Sequence, residues 1–431
     1  MRVLFLNDLW DPRIGSSVRL VYQLARELRA HGHETALATT TPDVALAGET
    51  EIEGLRTWRL HSDYAPRFRA WVSLDNPRVR DAYARVLAEF RPDVVHSHLV
   101  HTHLSYAALA RAREHGAAVV FTAHDVMTFC YQKLTCFHGG EARGGRERDY
   151  AAYWQKCVPC QRLRWNPWRN AAIRRVLARD VQRVTTVSDE LARALNANGI
   201  RVDRTIHNAT EARAELPGPD EVARFRAERG LAEAQLVAIG GRLHEQKGVA
   251  QLLRMLARLA PRFPRLRLLV LGRREVYETE FAALARELGI ADRVVTTGWL
   301  EGAELQRALA AVDVFVTPSI CFDTFGMVNL EAMEHAKPVV ATEFGGSPEV
   351  VVDGVTGFVR NPFDVAAFSE AIAELLADPE RARALGARGR ERWLEEFGIA
   401  RLAQEYLAEY ETALGSREAG PGPKSGVGSG R

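Results

Sequence analysis

Short apolar runs recur along the chain, separated by longer stretches whose apolar positions fall three and four residues apart. Val3–Asp8, Thr35–Thr39, 93–98, 119–124, Thr185–Ser188 and Arg204–His207 read as strands. Between them, helical periodicity covers about Ser16–Ala30, closing at Gly32, and Tyr106–Glu114. Strands alternating with amphipathic helices predict βαβ units and a parallel sheet. The pattern restarts at Gln235–Gly240 and continues through 266–272, 293–297, Asp313–Pro318 and 338–342. A polar stretch, 211–233, holds Pro217-Gly218-Pro219 and joins the two series.

The fold class expected is α/β: two Rossmann-like domains, 1–207 and 208–395, facing a central cleft, with a helix over 396–414 crossing back to the first. Residues 415–431, GSREAGPGPKSGVGSGR, are too polar and glycine-rich to fold. In parallel sheets ligands bind beyond the carboxyl ends of the strands, so the informative residues should follow strands.

Composition narrows the picture. The chain has 431 residues, 47% hydrophobic and 26% charged, as expected of a globular protein. A net charge of +2 makes no general field for nucleic acid. No apolar run is long enough to span a bilayer, and MRVLFLNDLWDPR is too short and too soon acidic for a signal peptide. A cytoplasmic location is expected, with the five cysteines reduced. Lysine is scarce, at 133, 156, 247, 337 and 424 only, so Lys247 stands out.

Three strand-following stretches carry candidate chemistry. GGRLHEQKG, Gly240–Gly248, offers two glycines for close backbone approach, with Arg242 and Lys247 as cations. Cations with free N–H groups suit a di- or triphosphate, although solvated charges on a tight turn remain an alternative. The loop is no G-x4-G-K-[ST] phosphate loop. CFDTFGMVNLEAM, Cys321–Met333, places Asp323 and Glu331 around a helix expected near Phe325. If fully helical, eight positions cover ~12 Å, about a nucleotide sugar from hexose to ribose. Asp323 could equally be a helix cap, and Glu331 half of a buried ion pair. ATEFGGSPEV, Ala341–Val350, puts glycines after another strand.

Together these pieces resemble glycosyltransferase family 4, the retaining nucleotide-sugar transferases of the GT-B fold. The resemblance rests on G-R-L-x-x-x-K-G (Gly241–Gly248), F-G-M-V-x-L-E-A-M (Phe325–Met333), K-P-V-V-A and G-G-S-P-E. It covers about residues 1–410 and is most specific over 235–360. It implies that Arg242 and Lys247 neutralise the departing diphosphate and that Glu331 binds the ribose. It places Asp323 where the family's first glutamate usually stands. Gly241, Phe325, Gly326, Met327, Val328 and Glu331 would line the donor. Gly15-Ser16 takes the place of the usual Gly-Gly of the first loop, and FTAHD places His124 near the donor sugar. No D-x-D pair occurs, so positive charge is expected from Arg242, Lys247 and helix amides rather than a catalytic metal. A UDP- or GDP-sugar donor and a glycan, lipid-linked or small-molecule acceptor are implied. A role in bacterial surface polysaccharide assembly is favoured over metabolite glycosylation, epimerase activity or binding alone.

Two clusters remain. HSHLVHTH carries His96, His98, His101 and His103, and His98 and His101 are expected to form an acceptor-side wall rather than a metal site. An insertion over about 126–170 holds Cys130, Cys136, Cys157 and Cys160, a candidate structural zinc set with His138 spare, against free thiols as the alternative. The same region interleaves Trp154, Trp165 and Trp168 with arginines, consistent with peripheral contact to an anionic membrane or with a solvated face.

Overall fold

The computed structural model describes residues 1–11, 15–137 and 148–418. The first sheet contains β1 (Arg2–Asn7), β2 (Glu34–Thr41), β3 (Gly48–Ile52), β4 (Leu55–His61), β5 (Val94–Leu99), β6 (Ala118–Ala123), β7 (Arg183–Thr186) and β8 (Arg204–Thr205). Their order is β3-β4-β2-β1-β5-β6-β7-β8, parallel except for the β3–β4 pair. The second sheet is fully parallel: β9 (Gln235–Gly240), β10 (Leu266–Leu271), β11 (Val294–Gly298), β12 (Val314–Thr317), β13 (Val339–Thr342) and β14 (Gly357–Arg360), in the order β11-β10-β9-β12-β13-β14. Strand order reverses between β1 and β5 in one sheet and between β9 and β12 in the other. Crevices open at such reversals, beyond the strand ends.

Central strands are apolar on both faces because helices cover both. Val3, Leu4, Phe5 and Leu6 of β1 are all fully buried. Helix Ser16–Ala30 has the expected bounds and buries Val18, Leu20, Val21, Leu24, Ala25 and Leu28. Helix Ile399–Glu418 returns to the first domain, laying Leu402, Ala403, Tyr406 and Tyr410 on the same core as Val3 and Phe5. Its buried hydroxyls are satisfied: Tyr410 Oη pairs with His96 Nδ1 at 2.7 Å and Tyr406 Oη with Thr122 Oγ1 at 3.1 Å.

Three expectations need correction. The returning helix runs on through Gly415–Glu418, because Ala413 still packs on the first domain. Residues 419–431 lie outside the described residues. The hairpin β3–β4 and strand β14 were not anticipated: β3 is an exposed, polar edge strand, and β14 has only four residues, so neither shows a strong apolar run.

The domains touch directly. Glu349, after β13, accepts from the backbone N–H groups of Asp189 and Glu190 at 2.8 and 2.9 Å, at the start of first-domain helix Asp189–Ala197. Its carboxylate also meets His207 Nε2 at 2.9 Å. An anion at a helix N-terminus satisfies orphan amides, and here it does so across the cleft.

Candidate functional site

The residues expected to serve the donor gather at the β9/β12 reversal. After β9 the chain makes a short turn, Glu245–Lys247, that closes at Gly248. Gly248 has φ +74°, and a Cβ there would stand 1.8 Å from the Pro318 carbonyl, so only glycine lets the two loops cross. Lys247 Nζ consequently reaches Asp323 Oδ2 at 2.9 Å. Asp323 also accepts from Ser319 Oγ at 3.0 Å. Burial alone would raise the Asp323 pKa, but Lys247 and the hydrogen bonds hold it below the ordinary carboxylate range. Lys247 is likewise penalised by burial yet held above its ordinary value by Asp323. Its side chain is 37% exposed against 10% for Asp323, so the lysine is the more accessible half of the pair. Arg242 is exposed and makes no ion pair among the described residues.

The helix of this site is Met327–Glu334, starting two residues later than expected. Its N-cap is Gly326 with φ +77°, where a Cβ would stand 2.6 Å from Asn329 Nδ2. Val328 lies against Gly241, within 3.7 Å of where a Cβ would be, and Val328 and Met327 are half-buried. Phe325 differs from its expected role. Its ring is buried between His207 (5.6 Å) and Phe397 (6.0 Å), so its side chain belongs to the interdomain core.

Glu331, in the second turn, faces the first domain, with Arg19 Nη1 3.7 Å from its Oε1. Burial pushes its pKa up, opposed by Arg19 and Arg213. The ion-pair reading therefore holds in loose form, and the pairing is with the opposite domain. Arg19 went unremarked in the sequence, although it shares a helix with Gly15-Ser16. Gly15 is the extended N-cap of that helix and its carbonyl accepts from Val18 and Arg19 at 3.2 Å, while Ser16 opens the helix.

His124 follows β6. Its Nε2 meets His98 Nδ1 at 2.7 Å, and its backbone carbonyl accepts from Thr324 Oγ1 at 2.8 Å, one residue past Asp323. Burial lowers its pKa to about 4. At neutral pH it is an uncharged hydrogen-bonding group. His98 and His101 do not form an exposed wall. Both are buried: His98 backs His124, and His101 pairs with Tyr106 Oη at 2.7 Å and lies 3.4 Å from Asp125. His96 is bonded to Tyr410 and Thr122, and His103 to Ser62.

The insertion contributes what sequence reasoning missed. Phe137 and Tyr150 pack on Phe322, the residue before Asp323, at 5.6 and 5.5 Å, and Phe137 also meets Phe344 at 5.1 Å. Arg148 pairs with Glu343 at 2.9 Å. Lys133, exposed and at φ +54°, lies within the field of the same charges: partial desolvation lowers its pKa, with Cys321 and Asp323 opposing and Arg242 and Lys247 reinforcing. Its signal was the scarcity of lysine. No cysteine is in a disulfide: Cys130 is buried and accepts from Gln132 N–H at 3.3 Å, Cys157 is half-buried, and Cys136 and Cys160 are exposed. Burial raises the Cys130, Cys157 and Cys160 pKa values, and neighbouring thiols add to it. Among the described residues no three His, Cys, Asp or Glu side chains are arranged to hold a metal ion, so the zinc expectation gains no support from the geometry. His138 lies outside the described residues.

Comparison with known proteins gives two family matches, Glycosyltransferase Family 4 over residues 17–212 and Glycosyl transferases group 1 over 222–392. An alpha-maltose-1-phosphate synthase from Mycolicibacterium smegmatis is 32% identical over 372 residues, 81% of this chain and 89% of that protein. A GDP-mannose-dependent alpha-(1-6)-phosphatidylinositol monomannoside mannosyltransferase from the same organism is 38% identical over 198 residues, 44% of this chain and only 52% of that protein. Among solved structures, sucrose-phosphate synthase from Thermosynechococcus elongatus matches with TM-score 0.76 at 23% identity, covering 96% of this chain and 99% of its own. Anabaena HepE, solved with UDP and glucose, matches at TM-score 0.69 and 17% identity over 96% and 100%. These likenesses show a two-domain GT-B fold.

Proposed function

Because this chain belongs to glycosyltransferase family 4, a transferase built on the GT-B fold, we propose that it moves a sugar from a UDP- or GDP-sugar to an acceptor hydroxyl with retention of anomeric configuration. The observation that carries this is the grouping of Arg242, Lys247, Asp323 and the glycine-capped helix Met327–Glu334 beyond β9 and β12. When the glycosidic bond to phosphate breaks, negative charge grows on the diphosphate. Lys247 and Arg242 meet that charge without a metal ion, and the amides at Gly326–Val328 add partial positive charge. Asp323 keeps Lys247 charged and in place, and Glu331 accepts from the ribose diol. His124, neutral and backed by His98, donates or accepts a hydrogen bond at the sugar.

The acceptor proposed is a hydroxyl of a glycan or lipid-linked glycan in bacterial surface polysaccharide assembly, with the protein acting in the cytoplasm. The mannosyltransferase relative, named for a phosphatidylinositol mannoside, points the same way. A second reading, transfer to a small sugar or sugar phosphate, draws on the synthase aligned over most of its length. Calorimetric titration with UDP, GDP and ADP identifies the base. Proton NMR of the product then reads the anomeric configuration, and an inverted product would overturn retention. Tight nucleotide binding with no transfer to any acceptor in a lipid and soluble panel would overturn the transferase reading of this chain.

A further inference from the structure

Among the described residues, exposed large aromatic side chains fall almost wholly on two segments of the first domain. Apart from Trp299, they are Phe68 and Trp71 (each 50% exposed), Tyr153, Trp154 (64%) and Trp168 (76%), all in the first domain on segments 66–72 and 153–168. Far apart in sequence, the segments are packed together. Asn166 Nδ2 donates to the Ala70 carbonyl at 3.2 Å while its Oδ1 accepts from the Trp168 amide at 3.0 Å. Arg69 and Arg169 both stack on Tyr131, at 4.1 and 3.9 Å, and Tyr131 Oη bonds Ser73 Oγ at 2.7 Å. Trp71 and Trp168 are thus carried by neighbouring turns. One segment follows β4 and the other follows β6, so the face lies on the cleft side of the sheet.

Its charge is one-sided. Segments 66–72 and 148–169 hold seven basic residues and one acid, Asp149, which Lys156 and Tyr153 already occupy at 3.2 and 3.0 Å. Arg67, Arg162 and Arg164 are exposed and make no ion pair among the described residues. Exposed tryptophans beside unpaired arginines match the two requirements of an interfacial surface: amphipathic rings at headgroup depth and attraction to anionic lipid. A second copy fits poorly, since a two-fold contact would set these arginines against themselves. Among the described residues no helix is long and apolar enough to cross a membrane, so the contact proposed is a peripheral one.

We infer that the face formed by segments 66–72 and 153–168 rests on an anionic bilayer. The acceptor side of the cleft then opens beside the membrane, where a lipid-linked hydroxyl is held. This consequence rests on the transferase reading above, whereas the binding itself does not. Co-sedimentation of the full chain with phosphatidylcholine vesicles, with and without phosphatidylglycerol, tests it. Binding is expected only with phosphatidylglycerol, with a blue shift of tryptophan emission and weakening as salt screens the arginines. Trp71→Ala with Trp168→Ala should lose roughly tenfold or more in partitioning, and Arg162→Gln with Arg164→Gln should lose most of the salt dependence. Both variants should keep the parent melting temperature and the parent nucleotide affinity, which separates failure of this face from failure of the transferase reading. Equal partitioning to both vesicle types, or unchanged binding by the tryptophan variant, overturns the inference. A concentration-dependent dimer abolished by the same variant, without vesicle binding, assigns the face to a second copy instead.

Discussion

Donor-side loops and the acceptor-side rim both cap the carboxyl ends of parallel strands, but they are made of different materials. On the donor side, 240–248 and 318–326 are short, and glycines at 248 and 326 bring backbone and two cations onto one spot. On the acceptor side, a long insertion supplies rings and arginines that reach across to Phe322 and Phe344. A diphosphate presents the same charge and shape in every nucleotide diphosphate sugar, so point charges and amides within a few residues suffice for it. The acceptor proposed is larger and particular, and the first-domain face beside the cleft is assembled from segments remote in sequence. The comparison also shows that the two sides are coupled, because insertion rings brace the loop that carries Asp323.

Lys247→Gln should separate the two sides most sharply. Glutamine can still donate to Asp323 but carries no charge, so kcat should fall by ~10²–10³, and the melting temperature should also fall because buried Asp323 loses its counter-charge. Near-parent turnover would remove Lys247 from the leaving-group role.

The first domain, which buries His96, His98, His101 and His124, should dominate acid sensitivity. His124 has a pKa of about 4 when folded, through burial, against about 6.5 when unfolded. Its contribution to stability is therefore complete above about pH 6.5 and is lost as pH falls toward 4, on the order of 3 kcal/mol. Urea midpoints measured across that window should drop. They should drop less in His124→Gln, and parallel curves for the two proteins would contradict the assignment.

Glu349→Ala removes a contact shared by both domains. Loss of a helix cap costs about 1–2 kcal/mol, and the free protein should open, read as a larger radius of gyration in small-angle scattering. An unchanged radius would mean that the remaining interdomain contacts, among them Ser188–Thr324, Thr324–His124 and Arg148–Glu343, hold the cleft shut without Glu349. The smallest effect is expected for Lys133→Ala, with roughly a fivefold weaker apparent donor affinity and little change in kcat, since one exposed charge on a phosphate is worth about 1 kcal/mol. Unaltered donor KM would confine the insertion to the acceptor.

Much of this was legible early. The Ser16–Ala30 helix and the β9 strand have the bounds that periodicity predicted, because burial on a helix stripe or a two-faced strand writes itself into local spacing. Lys247 and Asp323, 76 residues apart, were each marked by motif, but their pairing was not. The burial of Phe325 and His98, the Arg19–Glu331 contact and the seat of Lys133 depend on which surfaces the two domains turn toward each other.

The sequence by itself determined the two parallel α/β units, the loops that follow their strands and the charges poised there. Each of those follows from local alternation, glycine freedom and the residues at hand. Tertiary structure alone decided which charges meet, that Glu349 caps a helix of the other domain, and that Trp71 and Trp168 sit on neighbouring turns. Such facts depend on distances between residues far apart in the chain, and no periodicity encodes them.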